Sequence, residues 1–198
     1  MSIINRVKQI LVSPKTEWPT IEAENAPHAK VFTSYVVPLA LIPAIAAFIG
    51  YGLIGYSVFG VRVSSIDWGV RQAVVQLVSM LVGTYLSAFV ISALAENFGA
   101  KKDFNRAFSL VAYAYTPMFV AGIFHLLPSL TWLASLGGLY GLYLLYIGLQ
   151  PMMKAPADKQ SSYFVMTLIV MVAVGVGLSL IMNAILLRSG YHLSGFNL

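Results

Sequence analysis

Few side chains in this chain stand where they are able to do chemistry inside a membrane. His125, Tyr113, Tyr115 and Asn183 lie within long apolar runs, and Pro117 interrupts one of them. A histidine at such depth is able to relay protons, and a line of tyrosines and amides is able to carry a polar solute. Each also has a plainer reading. His125 falls within one turn of Pro128, where a hydrogen-bonded interfacial histidine is the simpler assignment. Gln76 and Asn183 suit bonds across helices. Pro117, Pro38 and Pro43 each remove a backbone hydrogen bond and bend a helix, which marks either a transport site or a packing kink. No H-E-x-x-H, G-x-S-x-G or Walker A pattern occurs, and no span pairs two acids. There are no cysteines, so thiolate nucleophiles, thiolate metal sites and disulfides are excluded. The reading is a chain that is not an enzyme, with no cofactor and no metal site.

The elements that position these residues follow from composition. Of 198 residues, 59% are hydrophobic and 10% charged, against about 45–50% and about 25% in soluble domains. The mean hydropathy is +0.81. Five runs without Asp, Glu, Lys or Arg are long enough to cross about 30 Å of hydrocarbon: 31–56, 72–95, 107–127, 130–149 and 163–187. The expected fold class is all-α, a polytopic transmembrane helical bundle of five spans with a short amphipathic N-terminal helix. Residues 1–30 form a cytoplasmic amphipathic segment, 31–188 the spans and 189–198 a short tail. Spans three and four are separated only by Pro128 and Ser129. One continuous helix would be about twice the hydrocarbon thickness, so "LLPSLT" is expected to turn a tight helical hairpin.

Residues 2–12 place Ile3, Ile4, Val7, Ile10 and Leu11 at helical spacing, with Asn5, Arg6, Lys8 and Gln9 on the remaining face. This predicts a helix lying on the leaflet, with Arg6, Lys8 and Trp18 as membrane-surface residues; the alternative packs it on the protein's own cytoplasmic face. "SPKTEWPTIEAE" reads as a solvated connector opened by Ser13 and Pro14, with Glu17, Glu22 and Glu24 in water. In the second loop, Asp103 or Asn105 is expected to cap span three.

Charge sets the orientation. The N-tail and the second and fourth loops hold Arg6, Lys8, Lys15, Lys30, Lys101, Lys102, Arg106, Lys154 and Lys159, against Arg62, Arg71 and Arg188 on the other side. The positive-inside bias puts the N-terminus in the cytoplasm and the C-terminus outside. The net charge of +5 is explained by lipid headgroups, with no nucleic-acid motif present. Small residues four apart occur at Gly137/Gly141, Gly83/Ser87, Ala173/Gly177 and Gly175/Ser179. They allow close helix contact within one chain or between subunits.

"LVSPKTEWPTIEAE", "YVVPLALIPAIAAFIG" and "FNRAFSLVAYAYTPMFVAG" together resemble the bacterial branch of the Yip family, the Ypt/Rab-interacting membrane proteins. The resemblance runs over residues 8–150, with span five matching in hydrophobicity alone. It implies five spans, a cytoplasmic N-terminal segment with a "P…W..I" pattern (Pro14, Trp18, Ile21), and a "Y…P" motif of Tyr113 or Tyr115 with Pro117. The Rab-linked trafficking role of eukaryotic relatives does not carry over, because bacteria have no Rab proteins and the acidic-aromatic motif is not evident here. The function expected is an integral protein of the bacterial inner membrane that organises membrane partners or lipids. Its partners would be membrane lipids and a second copy or other membrane proteins. The competing reading is a small transporter, channel or lipid-moving protein, with a polar path by Tyr113, Tyr115, Pro117, His125 and Asn183.

Overall fold

The computed structural model describes residues 2–58 and 61–191. Among these residues two short helices, α1 (Ile3–Val12) and α2 (Pro14–Glu24), precede five helices long and apolar enough to span a membrane. These are α3 (His28–Ile54), α4 (Ile66–Phe98), α5 (Phe104–Leu126), α6 (Pro128–Met153) and α7, whose spanning part is Gln160–Met182 and whose helix continues to Tyr191. Between α3 and α4, β1 (Tyr56–Val58) and β2 (Val61–Val63) pair antiparallel, Tyr56 opposite Val63. The sequence reading did not anticipate this hairpin. Its strands are three residues each, too short for an alternation to register, although Val and Tyr favour extended backbone.

Helix α5 occupies the centre: 67% of its most apolar stretch is buried, against 6% for α7. Phe108, Leu110, Val111 and Phe119 from α5 meet Ile91 of α4 and Leu144, Leu145 and Leu149 of α6 in one core. Pro128 ends the ladder of α5 as expected. Leu127, the residue before it, is extended (φ −119°, ψ 101°), because the proline ring disfavours helical angles there. The α5–α6 hairpin closes on glycine. A Cβ on Gly137 would stand 2.5 Å from the Pro117 carbonyl oxygen and 2.6 Å from Ala121 Cβ, and one on Gly141 2.9 Å from the Ala114 carbonyl oxygen. The Gly137/Gly141 face therefore serves packing within the chain. Gly83, Gly175 and Gly177 have no such neighbour within 4 Å.

The prolines act through the backbone ladder. Around Pro38 the α3 helix widens over Phe32–Val36, and the Val37 N–H donates to the Phe32 carbonyl five residues back. A proline withholds one donor, and a widened turn redistributes the remaining ones. Pro117 sits at the start of a fresh helical segment, Thr116–Ala121, after a break at Tyr115. Asp103 caps α5 as expected, its Oδ1 accepting from the Arg106 N–H at 3.2 Å. Asn105 instead caps α3: its Oδ1 accepts from the His28 N–H at 2.9 Å and lies 2.7 Å from His28 Nδ1.

Candidate functional site

The densest polar chemistry lies at the end of the bundle shared by α1, α2 and the loops around residues 99–103 and 154–159. Arg6 shows how it is built. Its position between Ile3 and Ile10, three and four residues away, turns it toward the same face as those apolar side chains. That face docks on the bundle, burying Ile10 fully and leaving Arg6 only 5% exposed. A buried guanidinium requires partners. Its Nη1 donates to Glu17 and its Nη2 to Glu24, and its Cζ lies over the Tyr113 ring, 5.6 Å from the centroid. Burial pulls the Arg6 pKa down. The hydrogen bond to Glu24 and the fields of Tyr113, Glu24 and Glu17 together outweigh burial and hold the pKa above the ordinary arginine value.

Helix α2 is held just as firmly. Trp18 is 1% exposed and lies over Gly148 of α6, where an added Cβ would stand 2.8 Å from the indole. Glu22 accepts from Arg106 Nη1 at 2.6 Å and from Lys154 Nζ at 3.1 Å. Those two hydrogen bonds, Arg106 first, hold the Glu22 carboxyl below the usual range. The Tyr140 hydroxyl of α6 donates to the Leu11 carbonyl at 2.7 Å. Arg6 and Trp18, expected at the membrane surface, are thus buried against the protein, and the expected solvated connector is a docked helix. The reason is tertiary. An amphipathic helix buries its apolar face on whatever apolar surface is nearest, and here the bundle supplies one. Lys8 remains exposed, in line with exposed Ile4 and Val12 on the outer face of α1.

A half-open cavity of about 460 Å³ lies beside this clamp, lined by Ser2, Arg6, Glu24, Lys30, Tyr35 and Tyr113 among others. Tyr35 and Tyr113 close its floor with ring centroids 4.6 Å apart, and the Tyr35 hydroxyl bonds Thr116 Oγ1 at 2.7 Å.

Among the described residues, the candidates for a polar path do not converge. Tyr113 faces Arg6 and Tyr35. Tyr115, two residues on, turns to α4 and bonds Ser87 Oγ at 2.7 Å. The Pro117 carbonyl faces Gly137 of α6. His125 lies near the other end of α5, its Nδ1 2.9 Å from the Gly122 carbonyl oxygen of its own turn. The Asn183 side chain lies outside the described residues. A second cleft, of about 280 Å³, opens between Gly83 and Ser87 of α4, Tyr115 and Met118 of α5, and Met171 and Gly175 of α7. Among the described residues, no three His, Asp or Glu side chains group to hold a metal ion. Sequence reasoning missed Glu17, Glu24, Glu22 and Arg106 as a network. The available signal was the helical spacing of Glu17, Ile21 and Glu24, which puts both acids on the same face as a buried isoleucine.

Comparison with known proteins places this architecture. The Yip1 domain model matches residues 8–181, so the similarity extends through most of α7, beyond residue 150. The inner membrane protein YohC of Escherichia coli K12 is 31% identical over 186 residues, covering 91% of this chain and 94% of that protein. YohC of Escherichia coli O6:H1 matches to the same extent. No solved structure matches.

Proposed function

This chain belongs to the Yip1 domain family, and from that premise we propose that it is a bacterial inner-membrane protein that organises membrane partners or lipids laterally and catalyses no reaction. Its N-terminus would face the cytoplasm and its C-terminus the outside. The likeness to proteins named for the inner membrane and the loop charges support the location.

The observation that carries the role is the state of α7. Its first turns are anchored: the Tyr163 hydroxyl donates to the Ile91 carbonyl, and Gln160 Nε2 donates to the Tyr146 carbonyl at 2.7 Å. Beyond them Ile169, Val172, Val176 and Leu180 are exposed, and Gly175 and Gly177 have open space where a side chain would stand. Small residues on an open span allow a second helix to approach at backbone distance, gaining dispersion contacts that lipid does not match. A transporter reading draws no comparable support: of its candidate residues, Tyr113, Tyr115, Pro117 and His125 diverge around a centre filled by Phe108, Leu110 and Phe119.

The test is photocrosslinking from position 172 in native membranes. An adduct heavier than the 21.5 kDa chain is expected, of doubled mass where the partner is a second copy, and Gly175→Leu should abolish it. A chain that stays monomeric and forms no adduct overturns the reading.

A further inference from the structure

We propose that the cavity between α1, α3 and α5 binds the headgroup of a zwitterionic aminophospholipid, phosphate against Lys30 and the Tyr113 hydroxyl, ammonium against Glu24. The proposal deepens the lipid arm of the reading above, and its failure leaves the crosslinking result untouched.

Position supplies the first argument. Lys30, Val31 and Ser34 lie in the first two turns of a span, and they line the cavity together with Ile3, Ala26 and Pro27. The mouth therefore stands where headgroups meet acyl chains, with apolar and polar walls side by side. Its volume of about 460 Å³ falls in the range of small-molecule sites.

Charge supplies the second. Arg6, Lys30 and Glu24 line the cavity, and Glu17, outside its lining, pairs with Arg6. With Glu17 counted the four charges cancel; Arg6 touches both carboxylates, and Lys30 stands apart from them. Such a site suits a zwitterion better than a net anion. The Arg6 guanidinium is already engaged by Glu17 and Glu24. Lys30 is exposed and has no carboxylate partner among the described residues. The Tyr113 hydroxyl has no hydrogen-bond partner among them either. Ser2 Oγ accepts from the Asn5 N–H, which leaves its own proton free to donate. Glu24 meets Arg6 through Oε1, so Oε2 is free to accept.

The aromatic residues decide between ammonium types. A trimethylated ammonium is held by open aromatic faces. Here the Tyr113 ring has Arg6 on one side at 5.6 Å and Tyr35 within 4.6 Å. The remaining acceptor is a carboxylate, which recognises an ammonium through its N–H donors. The ligand is therefore a primary amine, such as phosphatidylethanolamine, in preference to a choline lipid.

The test uses the full chain purified in detergent and offered phosphatidylethanolamine, phosphatidylcholine or phosphatidylglycerol with matched acyl chains, with retention read by native mass spectrometry. Preferential retention of the ethanolamine lipid is expected. Glu24→Gln and Lys30→Gln should each weaken it roughly tenfold, the loss of one charge-assisted hydrogen bond. A Lys8→Gln control should not. Excess soluble phosphoethanolamine should compete, and inorganic phosphate at the same concentration should not. Equal retention of the three lipids, competition by inorganic phosphate alone, or retention unchanged in both site variants would overturn the proposal. Thermal melts of each variant separate a lost site from a lost fold.

Discussion

At the scale of single residues, the protein spends its charge on attachment. Arg6 and Glu17 are both buried and paired. Removing one partner of such a pair leaves the other charged and dry, which typically costs about 3–5 kcal/mol. Arg6→Ala should therefore lower the unfolding midpoint in detergent sharply. The double change of Arg6 and Glu17 to methionine should recover most of the loss, since an apolar pair of similar volume is often neutral there. A double variant as unstable as Arg6→Ala would show that the clamp does more than neutralise itself. The sequence reading sets this residue on the polar face of α1, and the structure corrects it: Arg6 is buried with Ile10, three residues from Ile3 and four from Ile10, the spacing of a shared face. Its partners lie 11 and 18 residues further on, in a segment whose acidity suggested water, and no local pattern reports a contact of that range. Asp103 was legible because a cap is a local device.

At the scale of elements, the α5–α6 hairpin was the feature most readable in advance, since chain length and one proline force it. The sequence did not disclose which small-residue face would be used. Four pairs looked alike, and of their glycines only Gly137 and Gly141 lie so close to another helix that an added Cβ would collide with it. Gly137→Ala should push α6 from the Pro117 carbonyl and cost about 1–3 kcal/mol, the usual range for overpacking. Gly138→Ala, whose Cβ meets nothing within 4 Å, should be neutral or slightly stabilising through helix propensity. Thermal unfolding of the two variants side by side measures the contrast, and equal midpoints would refute the packing role. The widened turns of α3 had no such signature, because a proline announces a defect in the ladder without saying how the backbone absorbs it.

At the scale of the whole molecule, the ion pairs among Glu22, Arg106 and Lys154 bring the N-terminal helices and two inter-span loops to one end. Each pair of crossings returns the chain to that end, and the fifth crossing then leaves the two termini on opposite faces. Reporter tags should accordingly read the N-terminus as cytoplasmic and the C-terminus as external; both on one face would require a different span count. The seat of the N-terminal helices has a consequence for synthesis. Leu11 is held by a tyrosine 129 residues later in the chain. At translation rates of about 5–20 residues per second, the first helices leave the ribosome on the order of ten seconds before the surface that receives them exists. During that interval the face bearing Ile10 has to rest elsewhere, and the nearest apolar host is the bilayer itself. On that account the nascent segment would lodge at the lipid boundary until the fourth crossing arrives to claim it.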